Sequence, residues 1–190
     1  MWPSSDDPAR PPRARRLHVG CGPCASPGWI NLDRVRHPGV QVACDLAAGV
    51  PLRSESCDCA VAIHVLQDLP YAEVVPVLAE LRRVLKPGGV LRLGLPDLDK
   101  AIAAYCRNDH AYFYVPDSDA LDIGAKLVTQ ATWYGSVRTP MTYGFARECL
   151  ERAGFTSVQR CTFGTTRWHD RDIVQLDNRE RESLFLEARR

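Results

Sequence analysis

The sequence lacks an excess of charge of either sign. It has 24 lysine and arginine residues against 23 acidic residues, which gives a formal net charge of +1. A protein that binds nucleic acid or an anionic membrane through its charge needs a concentrated basic surface, and this balance supplies none. We therefore expect neither a nucleic acid nor a membrane as a partner.

Long apolar runs and a secretion signal are also missing. No run approaches the roughly 20 apolar residues that a membrane-spanning helix needs. The first sixteen residues are mostly Pro, Arg, Ser and Asp, without the apolar core of a signal peptide. We expect residues 1–16 to be a disordered leader and the protein to be cytoplasmic.

Eight cysteines are present, and most of them lie in apolar runs, where a thiol behaves as a small hydrophobic side chain. Cys21 and Cys24 have C-x-x-C spacing, and Cys57 and Cys59 follow as C-x-C. A structural zinc site needs two well-spaced pairs or added histidine ligands. We expect no metal site from these cysteines.

The chain is organised around the stretch from Leu17 to Asp33. A short apolar run ends in Gly20-Cys21-Gly22, and a second apolar run ends in the carboxylate of Asp33. Glycine lets the backbone pass close to a ligand, because a side chain there would block the approach. A carboxylate can accept two hydrogen bonds from a ribose diol. This stretch therefore indicates a nucleotide-type cradle.

Hydrophobic patterning predicts seven strands and four helices. The predicted strands cover residues 17–19, 30–33, 40–44, 59–65, 90–95, 155–163 and 183–188. The predicted helices cover residues 71–85, 97–106, about 122–133 and 143–153. Pro76 favours a start of the first helix nearer Glu73, because proline is tolerated best in the first turn. The charged segment 167–182 is expected to be a surface loop between the last two strands.

The order of these elements predicts one α/β domain over residues 17–190. Its sheet would be doubly wound and mostly parallel, with an antiparallel C-terminal strand. Only ten residues, 20–29, separate the first two strands, so the first crossover helix is expected to be abbreviated. Ligands in such sheets bind outside the carboxyl ends of the strands, where Gly20, Asp33, Asp45 and His64 all fall.

These motifs, taken in order, resemble the class I methyltransferases that use S-adenosylmethionine, in the small bacterial ubiquinone-methyltransferase-like branch (type 11). The motifs that carry the resemblance are L-H-V-G-C-G, N-L-D, C-D-L, A-I-H-V-L-Q-D-L and L-K-P-G-G-V-L-R-L-G-L-P-D. They cover residues 17–98, and the likeness resumes at 143–158 and 183–188. The resemblance implies an enzyme with a Rossmann-like sheet, S-adenosylmethionine as its cofactor and S-adenosylhomocysteine as its product.

The resemblance also implies residue roles. The cofactor-binding residues that it implies are Gly20, Cys21, Gly22, Asp33, Asp45, Leu46 and His64. Asp33 would hold the ribose hydroxyls, and Asp45 would accept a hydrogen bond from the adenine amino group. The family often has H-V-L-E-H where this chain has H-V-L-Q-D, so Gln67 and Asp68 depart from its pattern.

Methyl transfer is an in-line displacement, for which the protein mainly aligns the reactants and excludes water. A general base is needed only for a poorly ionised hydroxyl or amine, and His64 is the predicted base because an unperturbed histidine titrates near neutrality. The predicted acceptor-binding residues are Asp97, Tyr134, Arg138 and Tyr143. We expect a small organic acceptor that is methylated on oxygen or nitrogen, with the aromatic-rich insertion at 107–140 as lid or acceptor pocket.

Two other functions stay open. The run from Gly20 to Ala25 also fits G-x-G-x-x-A, the motif of nicotinamide-dependent oxidoreductases. That motif should open a full helix, with its acid about 20 residues further on, and neither condition is expected here. The altered pair Gln67-Asp68 also permits a non-catalytic protein of the same fold that acts through a partner.

Overall fold

The computed structural model describes residues 14–190. This part of the chain is built around one sheet of seven strands. The predicted leader lies almost entirely outside the described residues. The strands are β1 (Arg16–Val19), β2 (Ile30–Asp33), β3 (Val42–Ala43), β4 (Cys57–Ile63), β5 (Leu85–Pro96), β6 (Thr156–Cys161) and β7 (Ser183–Arg189). The helices are α1 (Tyr71–Val84), α2 (Leu98–Cys106), α3 (Ile123–Thr132) and α4 (Tyr143–Arg152).

The strand order is β3-β2-β1-β4-β5-β7-β6. The first five strands in this order pair in parallel, and β7 pairs antiparallel with both β5 and β6. The predicted doubly wound sheet with an antiparallel C-terminal end is thereby confirmed. Its switch point lies at β1 and β4, whose carboxyl ends open onto the same rim.

The connection from β1 to β2 contains turns and no α-helix over residues 20–29. This confirms the abbreviated first crossover. It also removes the structural context of the nicotinamide motif, whose glycines should open a helix that carries the pyrophosphate at its N-terminus.

Several predicted boundaries are wrong, among them the start of β5, which lies at Leu85 rather than at residue 90. Helix α1 begins at Tyr71 and continues through Pro76, so the proline does not mark its start. Strand β3 is reduced to Val42–Ala43, and β4 ends at Ile63 rather than at residue 65. The early end of β4 places His64 in the loop at the rim.

The middle of β4 is buried on both faces, as its continuous apolar run predicts. One face packs on the large core that includes Leu78 and Leu81 of α1. The other face packs Cys59 and Val61 against Ile173 and Trp29. This second face of the sheet is therefore covered largely by loop segments and not by helices.

The segment 167–182 is more than the predicted surface loop. Ile173 is completely buried, and Trp168 and Leu176 pack beside it. Asp177 binds the fully buried guanidinium of Arg92 on β5, with contacts of 2.7 and 2.5 Å. The high charge of the segment 167–182 predicted a solvent-exposed loop. The structure shows instead that a charged side chain, Asp177, fixes the segment to the sheet.

None of the helices over residues 14–190 combines the length and the apolar character needed to span a bilayer. Within the same residues, His, Cys, Asp and Glu side chains form no group of three that could hold a metal ion. All eight cysteines are free thiols.

Candidate active site

The glycine turn after β1 closes directly onto β2. The backbone N–H groups of Gly20 and Cys21 both donate to the carbonyl oxygen of Leu32, at 2.7 and 3.1 Å. Gly20 has φ +65°, and a Cβ added there would overlap with Cγ2 of Val65 in the loop after β4. Glycine is therefore required both by the backbone conformation and by the close approach of two rim loops.

Asp33, the last residue of β2, fastens this turn. Its Oδ2 accepts a hydrogen bond from the Gly22 N–H at 2.7 Å, and its Oδ1 accepts one from the Val35 N–H at 2.8 Å. Each carboxylate oxygen can accept more than one hydrogen bond, so the group retains capacity for a ligand diol. The same side chain thus shapes the glycine turn and faces the cavity beside it.

Asp45 both caps a short turn and lines the cavity that Asp33 faces. Its Oδ1 accepts a hydrogen bond from the Ala47 N–H at 3.0 Å, which caps a short 3₁₀ turn over Leu46–Ala48. The carboxylate is exposed and lines the same cavity as Asp33, whereas the Leu46 side chain beside it is buried. A carboxylate next to an apolar wall suits a flat base that carries an amino group.

These residues line a cavity of about 520 Å³ at the carboxyl ends of β1, β2 and β4. Ligand pockets fall between roughly 300 and 1,000 Å³, so this cavity has the size of a nucleoside-cofactor site. Of the seven predicted cofactor-binding residues, five line it, namely Gly20, Asp33, Asp45, Leu46 and His64. Cys21 and Gly22 belong to the turn that shapes it. The glycine approach and the two carboxylates fit the polar groups of S-adenosylmethionine.

His64 follows β4 in a left-handed conformation, with φ +55°. Its N–H donates to the Gly94 carbonyl at 2.7 Å, and its Nε2 lies 2.7 Å from the Ser183 hydroxyl. Burial, aided by the charge of Arg179, lowers the pKa of His64 to about 4. The imidazole is therefore neutral at neutral pH and a weak base, which corrects the expectation that it titrates near neutrality.

A second, smaller cavity of about 240 Å³ adjoins the first. Three residues line both cavities: His64, Asp68 and Ser136. The smaller cavity lies under the insertion, which contributes Tyr112, Trp133 and other residues to its wall. Two ligands, one bound in each cavity, would therefore contact each other beside these three shared residues.

The four predicted acceptor-binding residues do not lie together. Asp97 lines the smaller cavity and Arg138 lines the larger one. Tyr134 and Tyr143 line neither of these two cavities within residues 14–190. The Tyr134 hydroxyl donates to Asp119 at 2.6 Å on the exposed side of the insertion. The Tyr143 ring lies under a guanidinium, Arg160, at 5.2 Å.

Asp97 is held in place from two sides. Its Oδ1 accepts a hydrogen bond from the Lys100 N–H at 3.3 Å and so caps α2, while its Oδ2 lies 3.3 Å from Nη2 of Arg160. Burial raises the pKa of Asp97 above its usual value. The carboxylate is thus a fixed wall of the smaller cavity.

Several lining residues were not predicted as site residues from the sequence. They are Gln67, Asp68, Tyr112, Gln130, Trp133 and Ser136. Gln67 and Asp68 were visible only as a departure from the family pattern directly after His64. The others belong to the insertion, whose irregular pattern gave no indication of which side chains face inwards.

Residues 19–93 match a family model described as a methyltransferase domain. Over this segment the chain is therefore similar to methyltransferase domains. The match begins at the last residue of β1 and ends within β5, so it contains β2, β3, β4, the glycine turn and three carboxylates that line the larger cavity, those of Asp33, Asp45 and Asp68.

Solved structures agree with the methyltransferase fold. The structure of a SAM-dependent methyltransferase from Archaeoglobus fulgidus is similar at a TM-score of 0.58 and 14% identity, over 93% of this chain and 86% of that one. A second is Burkholderia thailandensis 1,6-didemethyltoxoflavin-N1-methyltransferase with bound 1,6-didemethyltoxoflavin and S-adenosylhomocysteine, at a TM-score of 0.54 and 17% identity. That likeness covers 94% of this chain and 71% of the other.

One curated relative shares sequence with part of the chain. A 37.1 kDa protein in transposon TN4556 of Streptomyces fradiae is 43% identical over 68 residues. The match covers 36% of this chain and 19% of that protein, so it spans about a fifth of the relative's length.

Proposed function

We propose that this protein transfers the methyl group of S-adenosylmethionine to a small organic acceptor, on a nitrogen or an oxygen atom. The observation that carries the proposal is the pair of adjoining cavities with His64, Asp68 and Ser136 common to both. A methyl donor and a methyl acceptor must meet in line, and two cavities with one shared wall provide for that arrangement.

In this proposal the larger cavity holds the cofactor. Asp33 binds the ribose hydroxyls, Asp45 and Leu46 bind the adenine, and the turn from Gly20 to Gly22 lets the backbone approach the ribose and methionine portion. The bound cofactor supplies an electrophilic methyl group on a positively charged sulfur. Every remaining task, which is to align the acceptor and exclude water, falls to the residues of this chain.

His64 has a place beside the methyl group in this proposal, but not as a strong base. A neutral imidazole that is hydrogen-bonded to Ser183 presents a fixed, uncharged surface between the two cavities. Such a surface does not repel a positively charged sulfur, whereas an imidazolium would. We also propose a cytosolic location, which the eight free thiols support.

Calorimetric titration with S-adenosylhomocysteine, with NAD as the control ligand, tests the proposal. We expect saturable binding of S-adenosylhomocysteine alone. Asp33→Asn should weaken it roughly 10- to 100-fold, because a hydrogen bond to a charged group contributes about 1.5–3 kcal/mol. The exposed variant Glu148→Gln on α4 removes one carboxylate away from both cavities and should leave the affinity unchanged.

Asp33→Asn is a sharper test than Asp33→Ala. Alanine would also remove the acceptors of the Gly22 and Val35 N–H groups and so disturb the turn. Asparagine keeps one of these acceptors. Equal affinity of the parent and Asp33→Asn, with both proteins folded, would show that the larger cavity is not the ribose site.

A further inference from the structure

The wall of the smaller cavity contains a buried hydrogen-bond acceptor without a partner. Gln67 is 4% exposed, and its Oε1 has no hydrogen-bond partner among residues 14–190. Its backbone carbonyl is fixed, because it accepts from the N–H groups of both Arg138 and Thr139 at 2.9 Å. An unsatisfied buried carbonyl is costly, so each such group requires an explanation.

The orientation of this amide is set by its neighbour. The Gln67 Nε2 donates to Oδ1 of Asp68 at 3.1 Å. Rotating the amide by half a turn would place its oxygen against the carboxylate, which repels it. The unpartnered atom is therefore an oxygen, and only a donor group can satisfy it.

The carboxylate of Asp68 is the second hydrogen-bond acceptor in this part of the wall of the smaller cavity. It lines both cavities and forms no ion pair with a Lys or Arg side chain in the described part of the chain, where the amide of Gln67 is its side-chain partner. Partial burial raises the pKa of its carboxyl above the usual value. Asp68 is thus an acid without an ion-pair partner in the wall that the two cavities share, although the charge of Arg179 also acts on it.

The other charged groups of the smaller cavity already have ion-pair partners. Of the other two acids in its lining, Asp97 lies 3.3 Å from the guanidinium of Arg160, and Glu182 is the partner of Arg179. The guanidinium of Arg179 lies 3.5 Å from Glu182, so this cation already has a partner. With a neutral His64, the cavity favours a ligand that carries positive charge and N–H donors.

The aromatic wall suits the same ligand. Trp133 and Tyr112 line the cavity, and an aromatic ring face attracts cations as well as apolar groups. The Tyr112 ring already has the guanidinium of Arg181 over it at 5.6 Å, so Trp133 is the ring that a ligand cation would meet. Tyr112 has a buried hydroxyl without a partner in residues 14–190, and burial raises its pKa to about 12, so that it stays protonated. A volume of about 240 Å³ restricts the ligand to one smaller than a drug-sized molecule.

We propose that the acceptor is a small aryl-alkyl amine, and that its amino nitrogen receives the methyl group between Asp68 and the Oε1 of Gln67. This inference rests on the proposed function and names the acceptor class for the same site. Asp68 is the catalytic base in this assignment, and Gln67 positions the amine through a second N–H group.

The step balances in atoms and charge. The protonated amine gives one proton to the carboxylate of Asp68, which frees the nitrogen lone pair. That lone pair forms the new N–C bond as the S–C bond of the cofactor breaks, and the bonding pair returns to sulfur. Asp68 then releases its proton to solvent through the open cavity, and the methylated ammonium leaves.

Calorimetry on the protein saturated with S-adenosylhomocysteine tests this inference. The probes are two amines, phenethylamine and tryptamine, their matched alcohols, phenethyl alcohol and tryptophol, and the carboxylate hydrocinnamate. We expect at least one amine to bind tenfold or more tightly than its alcohol, with hydrocinnamate weakest. Mass spectrometry with S-adenosylmethionine should then show that amine gaining one methyl group.

Two variants test whether the preference for an amine over its matched alcohol depends on Asp68 and Gln67. Asp68→Asn should weaken binding of the preferred amine at least tenfold and reduce its advantage over the alcohol, while methyl transfer falls further than binding does. Gln67→Leu removes the unpartnered oxygen and should weaken amine binding about fivefold, without a selective loss of turnover at saturating amine. Glu148→Gln is the matched control for a lost carboxylate, and thermal melts establish that each variant is folded.

The failures can be distinguished. Absence of S-adenosylhomocysteine binding would overturn the proposed function itself. Normal cofactor binding together with no amine binding, or with alcohol or hydrocinnamate bound as tightly as the amine, would overturn only the assignment of the acceptor class. An Asp68→Asn variant that keeps the parent's amine affinity and turnover would remove Asp68 from the mechanism.

Discussion

At the scale of single residues, the rim is occupied by side chains that serve the fold and the site together. Asp33 fastens the glycine turn while it faces the larger cavity, and Asp45 caps a turn while it lines the same space. A side chain that is fixed by one hydrogen bond is pre-organised to make another, because its rotamer freedom has already been lost. The rim therefore presents its carboxylates at little further entropic cost.

His64 gives a pH-dependent prediction at this scale. Its pKa is lowered from 6.5 to about 4 in the folded protein, so the unfolded chain binds more protons between these values. Stability should therefore rise with pH across that window and fall as the pH drops through it, by up to about 3 kcal/mol from this residue. Urea unfolding at several pH values measures this dependence.

The matched variant for this prediction is His64→Asn. Asparagine tolerates the left-handed backbone at this position and carries no titratable group. The difference in unfolding free energy between the parent and His64→Asn should change with pH only between about 4 and 6.5. A constant difference across that range would mean that His64 is not held neutral by burial.

The site residues that could be predicted from the sequence are those whose positions follow from local sequence patterns. Gly20, Asp33 and Asp45 each end or follow a strand, so the topology of the sheet fixes where they meet. Gln67 and Tyr112 could not be found in this way. Their roles depend on how the insertion covers the sheet, which no local periodicity encodes.

At the scale of elements, the segment 167–182 shows why composition alone misleads. Its charge predicted a surface loop, but Asp177 is 1% exposed and Arg92 is fully buried. Glu187 on β7 also binds this guanidinium, at 2.7 Å. The three groups join β5, β7 and the segment into one ionic cluster that only the tertiary fold brings together.

Asp177→Asn should therefore destabilise the protein by about 3 kcal/mol, because a buried guanidinium loses a charged partner. Asp172→Asn is the control in the same segment: Asp172 contacts Arg16 at 2.7 Å but is 41% exposed, so its loss should cost at most about 1 kcal/mol. Urea denaturation of both variants measures the difference. Equal small losses would show that Glu187 alone compensates Arg92.

At the scale of the whole molecule, the site depends on how closely the ends of separate strands approach one another. The β1 turn and the loop after β4 are distant in sequence, yet Gly20 leaves no room for a side chain against Val65. The order of the strands follows from the sequence pattern, whereas this close approach follows only from the packing of the finished sheet. Gly20 and Val65 both line the larger cavity, so this approach forms part of its wall.

A double-mutant cycle of Gly20→Ala and Val65→Ala tests this dependence. Gly20→Ala should cost roughly 1–2 kcal/mol in backbone strain and a further 1–3 kcal/mol in overlap with Val65. Adding Val65→Ala should remove the second part, so the two changes should be non-additive. Gly88→Ala is the strain-only control, because Gly88 has φ +76° and nothing within 4 Å of an added Cβ.

The cycle is measured both by urea unfolding and by affinity for S-adenosylhomocysteine. We expect Gly20→Ala to weaken binding at least tenfold, the double variant to recover part of that loss, and Gly88→Ala to bind as the parent does. Additive stabilities, or a Gly20→Ala variant no less stable than Gly88→Ala, would mean that the β1 turn and the β4 loop do not constrain each other. Because Val65 also lines the cavity, the single variant Val65→Ala separates the effect of a wider cavity from the relief of overlap.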